Sequence, residues 1–384
     1  MNALNVRQLF EKKFGNGYLV FRAPGRINLI GEHTDYNLGY VLPAAINKYI
    51  YLAIQPNETA TYHIHAADLR EDASFDQKFR KNDLPGWARY PAGVIRELTG
   101  RGYQLKGFNA VFGGNIPSGA GLSSSAALEM AFALAINTMD KLELPPLELA
   151  KAGQQAEHHT VGVRCGIMDQ FASVFGKPNQ LIRLDCRDLN HTYYPFKSKD
   201  HTILLANTGV SHALAESAYN ERRDQCEEGV RMLAREFSEV RSLRDVSPDM
   251  LRTVGKKLDP VILKRCEYVT EENERVIGAC SALEKGDPAQ TGEFMWSSHE
   301  GLRDKYEVSC EELDFLVDTA RTIPGVKGAR MMGGGFGGCT INLLETRHVE
   351  SFKEIGSEKF FEQFKTRPEY YEVSIAEGAG ILSE

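Results

Sequence analysis

The sequence predicts a two-domain protein built from both helices and strands. The chain has 384 residues, which is enough for two domains with separate hydrophobic cores. In its first half, short runs of β-branched and aromatic residues alternate with segments of helical periodicity. Near residue 195 the pattern changes to long, charged amphipathic helices. We therefore expect one domain over residues 1–195 and a second over residues 196–384.

The first half begins with strand patterns separated by a polar segment. Residues 18–23 and 40–54 are rich in β-branched and aromatic side chains, which predicts two strands. Residues 24–39 between them are polar and contain glycines, which predicts a loop. Residues 108–112 predict a further strand that leads through two glycines toward a long apolar helix.

Helices dominate the remainder of the first half. Apolar residues at three- and four-residue spacing predict a helix from about Ser123 to Met139. A second helix is expected to start at Pro146, since proline is suited to a first helical turn, and to end near Thr160. A short amphipathic helix is expected after Ile167, with Asp169 in its first turn.

The second half is predicted to open and close with strands. Residues 202–206 predict an apolar strand, and three long helices are expected at about 214–237, 260–285 and 309–322. The glycine cluster at 333–338 then opens onto a strand over residues 339–344.

Composition and charge exclude several classes of protein. Lysine and arginine total 45 against 52 acidic residues, a net charge of −7 that argues against nucleic acid as a main partner. No apolar run approaches the roughly 20 residues that span a bilayer, so no membrane partner is expected. The first residues lack the apolar core of a signal peptide, and the seven cysteines show no Cys-x-x-Cys. We therefore expect a cytoplasmic protein with reduced thiols.

Glycines and serines meet at the start of the first long helix. The segment reads Pro-Ser-Gly-Ala-Gly-Leu-Ser-Ser-Ser over residues 117–125, which we call the phosphate loop. A helix start has unpaired N–H groups and partial positive charge, and glycines let the backbone approach an anion. The alternative is an ordinary serine N-cap. A cap needs one hydroxyl, however, and three serines follow Gly-x-Gly here.

Two other segments carry chemistry-bearing residues. Residues 24–36, which we call the polar segment, contain Arg, Glu, His and Asp between glycines, groups that hold sugar hydroxyls, phosphates or carboxylates. The alternative is a solvated loop, but its flanking strands favour a held binding loop. Asp169 lies at a helix start among apolar residues. It is either a general base or electrostatic partner for a hydroxyl, or an ordinary first-turn aspartate.

The sequence excludes three familiar nucleotide-binding motifs. It has no Gly-x-x-x-x-Gly-Lys-Ser/Thr, so a Walker-type loop is absent. Asp-Phe-Gly and His-Arg-Asp are missing, which excludes a protein kinase. The glycine cluster at 333–338 precedes a strand rather than a helix, which excludes a dinucleotide fingerprint and favours a tight turn against another backbone or a ligand.

Together these segments resemble the galactokinase family of the GHMP small-molecule kinase superfamily. The polar segment resembles Gly-Arg-x-Asn-Leu-Ile-Gly-Glu-His-Thr-Asp-Tyr, the phosphate loop resembles Pro-x-Gly-x-Gly-Leu-Ser-Ser-Ser, and the glycine cluster resembles Gly-Gly-Gly-Phe-Gly-Gly-Cys. The resemblance covers essentially the whole chain. It implies a two-lobed α+β fold, with a first lobe like ribosomal protein S5 domain 2, a ferredoxin-like second lobe and the active site between them.

The resemblance also implies an activity. ATP would phosphorylate α-D-galactose at its anomeric hydroxyl to give galactose 1-phosphate and ADP, the first committed step of galactose use in the Leloir pathway. ATP and Mg²⁺ are the implied cofactors, galactose and ATP the implied partners, and a monomer rather than an obligate oligomer is expected.

Site residues follow from the resemblance, position by position. Asp169 and Arg26 would be the catalytic pair beside the anomeric hydroxyl. The sugar would be lined by Glu32, His33, Asp35, Gly166 and Tyr219. The ATP phosphates would be held by Gly119, Gly121, Ser123, Ser124 and Ser125. Ser123 from the serine run, together with Glu157, would serve Mg²⁺, and Trp87 and Tyr90 are further candidates near the nucleotide. Arg164 departs from the family pattern, where Pro or Asn is frequent.

Three alternatives remain open from the sequence. A sister kinase for N-acetylgalactosamine or another sugar is one, although Thr34 and Asn37 fit the galactokinase pattern better. A non-catalytic sensor of galactose and ATP is the second, but the phosphate loop, Arg26 and Asp169 are intact. A mevalonate or homoserine kinase would share the phosphate loop without residues 31–36.

Overall fold

A computed structural model describes residues 1–117, 119–196, 200–211 and 215–382. Ser118 of the phosphate loop lies outside the described residues. The first lobe contains eight strands and five helices within these ranges. Its strands are β1 Leu19–Asn28, β2 Tyr40–Val41, β3 Pro43–Pro56, β4 Tyr62–Ala66, β5 Glu71–Phe75, β6 Phe108–Gly114, β7 Gln180–Asp185 and β8 His191–Pro195. Its helices are α1 Ala3–Phe14, α2 Arg89–Gly100, α3 Ser124–Met139, α4 Pro146–Ala156 and α5 Met168–Phe175.

The remaining described strands and helices form the second lobe, except that the last strand joins the main sheet of the first lobe. The strands are β9 His201–Ser211, β10 Val326–Met331, β11 Gly337–Glu345, β12 Glu369–Val373 and β13 Gly380–Ile381. The helices are α6 Ala215–Glu236, α7 Pro248–Val254, α8 Pro260–Lys285, α9 Pro288–Gly301, α10 Glu311–Arg321 and α11 Val349–Phe364. No helix within the described ranges is both long and apolar enough to cross a membrane. The seven cysteines, all within those ranges, are free thiols.

The first lobe is organised around a six-stranded sheet. Its strand order is β13-β1-β3-β6-β4-β5, antiparallel except for the parallel pair β4 and β6. Helix α3 packs on β1 and β3, and α2, α4 and α5 pack around α3. The core between them contains Phe21, Leu52, Phe108 and Phe132. This core holds the start of α3 against β1, which places the phosphate loop beside the polar segment.

The second lobe has the ferredoxin-like arrangement that was expected. Its antiparallel sheet has the order β10-β11-β9-β12, and the chain runs through it as strand, helices, two strands, helix and strand. Helix α9 packs on β10, and α8 packs on α9. A shared core then joins the two lobes, with Ile30 and Leu42 from the first lobe against Val276, Met295 and Ile341 from the second.

Two strand predictions were wrong in their boundaries. Residues 24–28 were predicted as the start of a loop over 24–39. They belong instead to β1, which continues to Asn28 with a register shift between Pro24 and Arg26. Proline lacks an N–H for strand pairing and is tolerated at such an irregularity. The single strand predicted at 40–54 is two strands, because β2 pairs with β7 while β3 pairs with β1. Helices α9 and α11 had no counterpart among the predicted elements.

Candidate active site

Strand β1 and helix α5 bring Arg26 and Asp169 together. Arg26 is 5% exposed, and its Nε and Nη2 donate to the two carboxylate oxygens of Asp169 at 2.7 and 2.9 Å. This bidentate geometry is the strong form of an arginine–carboxylate pair. Nη1 of Arg26 donates to the carbonyl oxygen of Gly121 at 2.5 Å, so the same guanidinium also touches the phosphate loop.

The phosphate loop enters helix α3 in an unusual way. The helix begins at Ser124, within one residue of the predicted start near Ser123, and Ser123 is the N-cap in the left-handed backbone region at φ +57°. Its side chain makes no capping hydrogen bond and instead donates to Oδ2 of Asp169. The ordinary serine cap is therefore excluded, because the Ser123 hydroxyl serves Asp169. Asp169 lies in the first turn of α5, as predicted.

The phosphate loop packs against the glycine cluster of the second lobe. Gly121 has φ +70°, and a Cβ at this position would lie 3.3 Å from the carbonyl oxygen of Met332. Gly333 in turn faces the backbone of Gly121. The close approach of two backbones explains why both motifs are rich in glycine. The cluster is a tight turn against another backbone, as the sequence indicated.

Glu32 is held almost entirely by protein groups. Its Oε1 accepts from Arg330 at 3.1 Å and from the backbone N–H of Gly333 at 2.8 Å, while Oε2 accepts from Asn28 at 3.1 Å. Arg330 is fully buried and also donates to backbone carbonyls, including that of Leu29. Arg330 was not among the residues predicted from the sequence. The sequence did contain a signal for this residue, since a charged side chain stands among apolar residues just before the glycine cluster.

Asp35 and Gly166 form one wall of the site. A Cβ on Gly166 would lie 2.0 Å from the carboxylate of Asp35, so only glycine fits there. Burial, followed by the nearby charge of Asp169, raises the pKa of Asp35 to about 7. The carboxyl group of Asp35 can therefore lose or gain a proton near pH 7 and can donate or accept a hydrogen bond with a ligand.

Aromatic rings close the opposite side. The His33 ring lies 5.2 Å from the Tyr219 ring, and the Tyr36 and Tyr219 centroids are 5.4 Å apart. Burial, followed by the charge of Asp35, raises the pKa of Tyr219 well above its usual value. Tyr219 therefore stays a neutral hydroxyl.

These side chains line a small, partly open cavity of about 150 Å³. Its lining includes Arg26, Glu32, His33, Asp35, Ser125, Glu157, Gly166, Asp169, Tyr219, Gly333 and Gly334. Every residue that the resemblance assigned to the sugar or to catalysis is among them. The indole of Trp87, which was expected near the nucleotide, donates to Glu71 at 2.7 Å and packs against Phe112. Tyr90 lies next to the same core, and neither residue lines this cavity.

Glu157 adds a further buried carboxyl to the site, beside Asp169. Burial, followed by the charge of Asp169, raises the pKa of Glu157 to about 7, and Ser125 is one of its hydrogen-bond partners. Gln170 approaches it at 3.5 Å and donates to the buried Glu129 at 2.9 Å. Burial, followed by the charge of Glu157, raises the pKa of Glu129 well above its usual value. The site thus concentrates acidic groups, with the buried guanidinium of Arg26 paired to Asp169 and that of Arg330 paired to Glu32.

Arg164, the departure from the family pattern, lies at the rim. Its guanidinium pairs with Asp224 and approaches Glu227 at 3.8 Å, both on helix α6. Its backbone N–H approaches Asn220 Oδ1 at 3.4 Å. Arg164 therefore ties the loop before α5 to α6, the helix that carries Tyr219.

Comparisons with known proteins agree with this geometry. The family model described as the galactokinase galactose-binding signature matches residues 8–56. The models of the GHMP kinase N-terminal and C-terminal domains match residues 89–177 and 279–361. A galactokinase of Thermotoga neapolitana is 45% identical over 93% of this chain and 98% of its own length. The chain belongs to the galactokinase family.

Further galactokinase relatives extend this match. A galactokinase of Roseiflexus is 39% identical over 99% of this chain and 97% of its own length. The structure of Lactococcus lactis galactokinase complexed with galactose superimposes with a TM-score of 0.94 at 35% identity, covering 98% of each chain. A mevalonate kinase of Methanococcus jannaschii, with a TM-score of 0.66 at 18% identity, shares the fold. The expected GHMP kinase fold is confirmed.

Ser125 and Glu157 lie together at the cavity and are candidates to hold Mg²⁺. Among the described residues, no three His, Cys, Asp or Glu side chains are grouped so that they could hold a metal by themselves. Mg²⁺ is commonly bound by one or two carboxylates together with substrate phosphates. The hydroxyl of Ser125 beside the buried carboxyl of Glu157 supplies oxygen ligands of that kind. The repulsion between Glu157 and Asp169 is the kind that a cation relieves, so these residues fit the ion.

Proposed function

We propose that this chain transfers the γ-phosphoryl group of ATP to the anomeric hydroxyl of α-D-galactose, giving galactose 1-phosphate and ADP. One observation carries the proposal. Asp169, fixed by Arg26 and Ser123, borders a cavity lined by the galactokinase polar segment and lies beside the phosphate loop. An acceptor hydroxyl and a phosphate can therefore meet at one carboxylate.

The reaction needs positioning and charge stabilisation more than covalent chemistry. We propose that the O1 hydroxyl of the sugar donates to Asp169 and passes its proton there as O1 forms the bond to the γ-phosphorus. The bond from that phosphorus to the bridging oxygen breaks, and ADP leaves with the electron pair. Arg26 stabilises the charge around Asp169 and orients its carboxylate, since two of its N–H groups hold both oxygens.

Phosphate binding is assigned to the start of helix α3. The first-turn N–H groups of α3, with Ser124 and Ser125, would hold the ATP phosphates with Gly119 and Gly121. Both glycines have positive φ, a backbone conformation that glycine adopts without steric cost. Ser123 contributes through Asp169, because its hydroxyl is already committed to that carboxylate.

We propose Ser125 and Glu157 as the residues that hold Mg²⁺. The sequence assignment named Ser123 for this role, but its hydroxyl is hydrogen-bonded to Asp169, whereas Ser125 is a partner of Glu157. When bound, the ion supplies positive charge that neutralises the phosphates.

Galactose specificity is proposed to rest on buried groups that face the sugar. Asp35, Gly166, Tyr219 and Glu32 line the cavity. A sugar whose 4-hydroxyl is inverted would leave such buried groups unpaired, which costs binding energy. N-acetylgalactosamine keeps that 4-hydroxyl and is expected to be disfavoured for a separate steric reason, since its bulkier 2-substituent needs additional space in this small cavity.

The deciding experiment is a sugar panel in an ATP-coupled assay with product identification. Galactose, glucose, N-acetylgalactosamine and mevalonate are each offered with MgATP. We expect galactose 1-phosphate from galactose and at least about a hundredfold lower kcat/KM for glucose, because buried polar groups would be left unpaired. A preference for N-acetylgalactosamine, or ADP release without a phosphorylated sugar, would contradict the proposal.

A further inference from the structure

Residues 162–166, which we call the rim segment, lie where the first lobe meets helix α6 of the second. From this segment Val163, Cys165 and Gly166 line the cavity, and Tyr219 lines it from α6. Each lobe therefore supplies one side of the cavity at this place. The width of the cavity here depends on how the rim segment is held against α6.

Two successive carbonyl groups of the rim segment are held by different lobes. The carbonyl oxygen of Cys165 accepts from Nε2 of His158 at 2.7 Å and from Gln154 at 3.3 Å, both in the first lobe. The carbonyl oxygen of Arg164 accepts from Nη1 of Arg223 on α6 at 2.6 Å. A charged donor makes a hydrogen bond stronger. The rim segment is therefore anchored to both lobes, and Arg223 is the anchor from the second.

Arg164 makes contacts in the opposite direction, from the rim segment to α6. Its side chain is 38% exposed, and its guanidinium pairs with Asp224 and lies 3.8 Å from Glu227. The Glu227 carboxylate also pairs with Nε of Arg223 at 3.0 Å. The two arginines and two carboxylates thus form one network across the lobe boundary. Exposed ion pairs contribute more in such a network than in isolation.

The network reaches the part of α6 that carries Tyr219. The backbone N–H of Arg164 lies 3.4 Å from Oδ1 of Asn220, and its Nη2 lies 3.4 Å from the Asn220 carbonyl oxygen. Asn220 directly follows Tyr219 in the helix. Neither proline nor asparagine, which are frequent at this position in the family, has a side chain that could make the ion pair with Asp224. The departure from the family pattern therefore adds a contact between the lobes.

We propose that Arg164 and Arg223 form a two-way clasp across the lobe boundary, with Arg164 as a positioning residue that sets the affinity for the sugar. The inference rests on the proposed function, because it takes galactose as the occupant of the cavity. Arg164 does not line the cavity, so it acts on the sugar through the rim segment and Tyr219. Galactose is uncharged, so salt changes its binding through the charges of the protein. The exposed ion pairs of the clasp are open to such screening.

The test compares three variants of the full chain with a matched control. Arg164→Asn removes the guanidinium, Arg164→Lys keeps the charge on a compact donor group, and Asp224→Asn removes the partner on α6. The control is Arg231→Asn, because Arg231 pairs with Glu228 within α6 at the surface. Galactose binding is measured by calorimetry without nucleotide. The coupled assay gives kcat and the KM values for galactose and ATP.

We expect Arg164→Asn to weaken galactose binding about three- to tenfold, as loss of a networked ion pair with its hydrogen bonds would. Its kcat and its KM for ATP should stay within about twofold of wild type, because the phosphate loop and Asp169 are unchanged. Arg164→Lys should recover part of the lost affinity. Asp224→Asn should have a smaller effect than Arg164→Asn, since Glu227 remains, and Arg231→Asn should have none.

Salt provides a second measurement of the clasp. Raising the salt from about 0.1 M to about 1 M shortens the Debye length from about 10 to about 3 Å. Galactose binding by the wild type should weaken at least about twofold over this range, and by a smaller factor in Arg164→Asn. An equal salt dependence in the two proteins would contradict the role of Arg164.

Two further results would overturn the inference. They are unchanged galactose affinity in Arg164→Asn, or an equal loss of galactose affinity, ATP affinity and turnover, which is the pattern of general structural damage. If Arg164→Asn does not fold, Asp224→Asn decides, because the Asp224 side chain is 63% exposed.

Hydrogen exchange separates this inference from the proposed function. Exchange over residues 162–166, measured without ligand, should be faster in Arg164→Asn than in the wild type, and equal rates would contradict the clasp. A wild-type protein that neither binds nor phosphorylates galactose would defeat the proposed function instead. The exchange measurement would still report whether Arg164 holds the rim segment.

Discussion

Ser123 directs its hydroxyl to Asp169 instead of capping the helix that follows it. The first turn of α3 therefore has no serine cap from this residue, and its N–H groups face the loop side of the site. One hydroxyl thus links the phosphate side of the site to the carboxylate on the sugar side. The same pair connects α3 with α5, which are neighbours in the first lobe.

Replacing Asp169 by Asn should abolish turnover while leaving galactose binding measurable. The amide keeps the shape but cannot take the O1 proton, and a positioned general base contributes about 10²–10⁴ in rate. We expect kcat to fall by at least about a hundredfold. Turnover would be measured with the coupled assay and binding by calorimetry with galactose alone. Near-normal turnover would show that the carboxylate is not needed.

Ser123→Ala should slow catalysis without destabilising helix α3. The hydroxyl orients Asp169, so we expect kcat to fall by about tenfold, in keeping with the cost of small misplacements. The unfolding free energy should change by less than about 1 kcal/mol, because no capping bond is lost. Ser123→Gly is the control for the backbone, since glycine relieves the positive φ. If only the alanine variant is slow, backbone strain rather than the hydroxyl is responsible.

Glu32→Gln should strongly destabilise the fold. The change leaves Arg330 as a fully buried charge without its partner, and breaking such a pair typically costs about 3–5 kcal/mol. Denaturant unfolding would measure the loss. Asp249→Asn is the control, because Asp249 pairs with Arg252 on the surface and should matter by less than about 0.5 kcal/mol. Equal effects in the two variants would mean that burial of the pair adds nothing.

Asp35→Asn should stabilise the ligand-free protein at pH 8 and abolish tight galactose binding. The folded-state pKa of about 7 lies above the ordinary value of 3.8, so the stability that the proton supplies is present below pH 4 and is lost as pH rises through 7. A tenfold difference in proton affinity between the folded and unfolded states is worth about 1.4 kcal/mol. The stability gained by the variant should therefore grow from pH 4 to pH 8, as measured by thermal unfolding. A difference between variant and wild type that does not change with pH would contradict this account.

Glu157→Gln should raise the Mg²⁺ concentration needed for half-maximal activity by at least about tenfold, as loss of a metal ligand or its support typically does. Galactose affinity should change little, because Glu157 is assigned to the ion. Glu148→Gln is the control, because Glu148 lies in helix α4, which ends just before Glu157, and pairs with Arg101 and Lys151 at the surface. The same Mg²⁺ dependence in both variants would remove Glu157 from the metal site.

Local patterns were sufficient to predict elements whose causes are local. The periodicity after Ser123 predicted α3, and the apolar spacing after Ile167 predicted α5 with Asp169 in its first turn. The end of β1 was wrongly predicted as a loop, because its polar residues, proline and glycine are typical of turns. Residues 24–28 nevertheless pair with β3. Burial of a strand edge depends on its neighbours, which lie far away in the chain.

The contacts that complete the site could not be read from local patterns. Arg330 and Glu32 are 298 residues apart, and His33 and Gly334 are 301 residues apart. Nothing in the local sequence around these residues indicates which of them pair, because each pair forms only when the lobes meet. The resemblance predicted the cavity residues in advance, but it did not predict Arg330, because the contact of Arg330 with Glu32 exists only in three dimensions.

The return of β13 to the first sheet affects how the two halves can exist. The chain enters the second lobe after β8, yet its last strand pairs with β1, and the core around Val276 and Ile341 belongs to both lobes. A fragment ending near residue 195 would expose the edge of β1 to pairing with other chains. The complementary fragment would carry β13 without its sheet. The two halves are therefore interdependent folding units, and together they could serve as a split enzyme that regains its shape on reassembly.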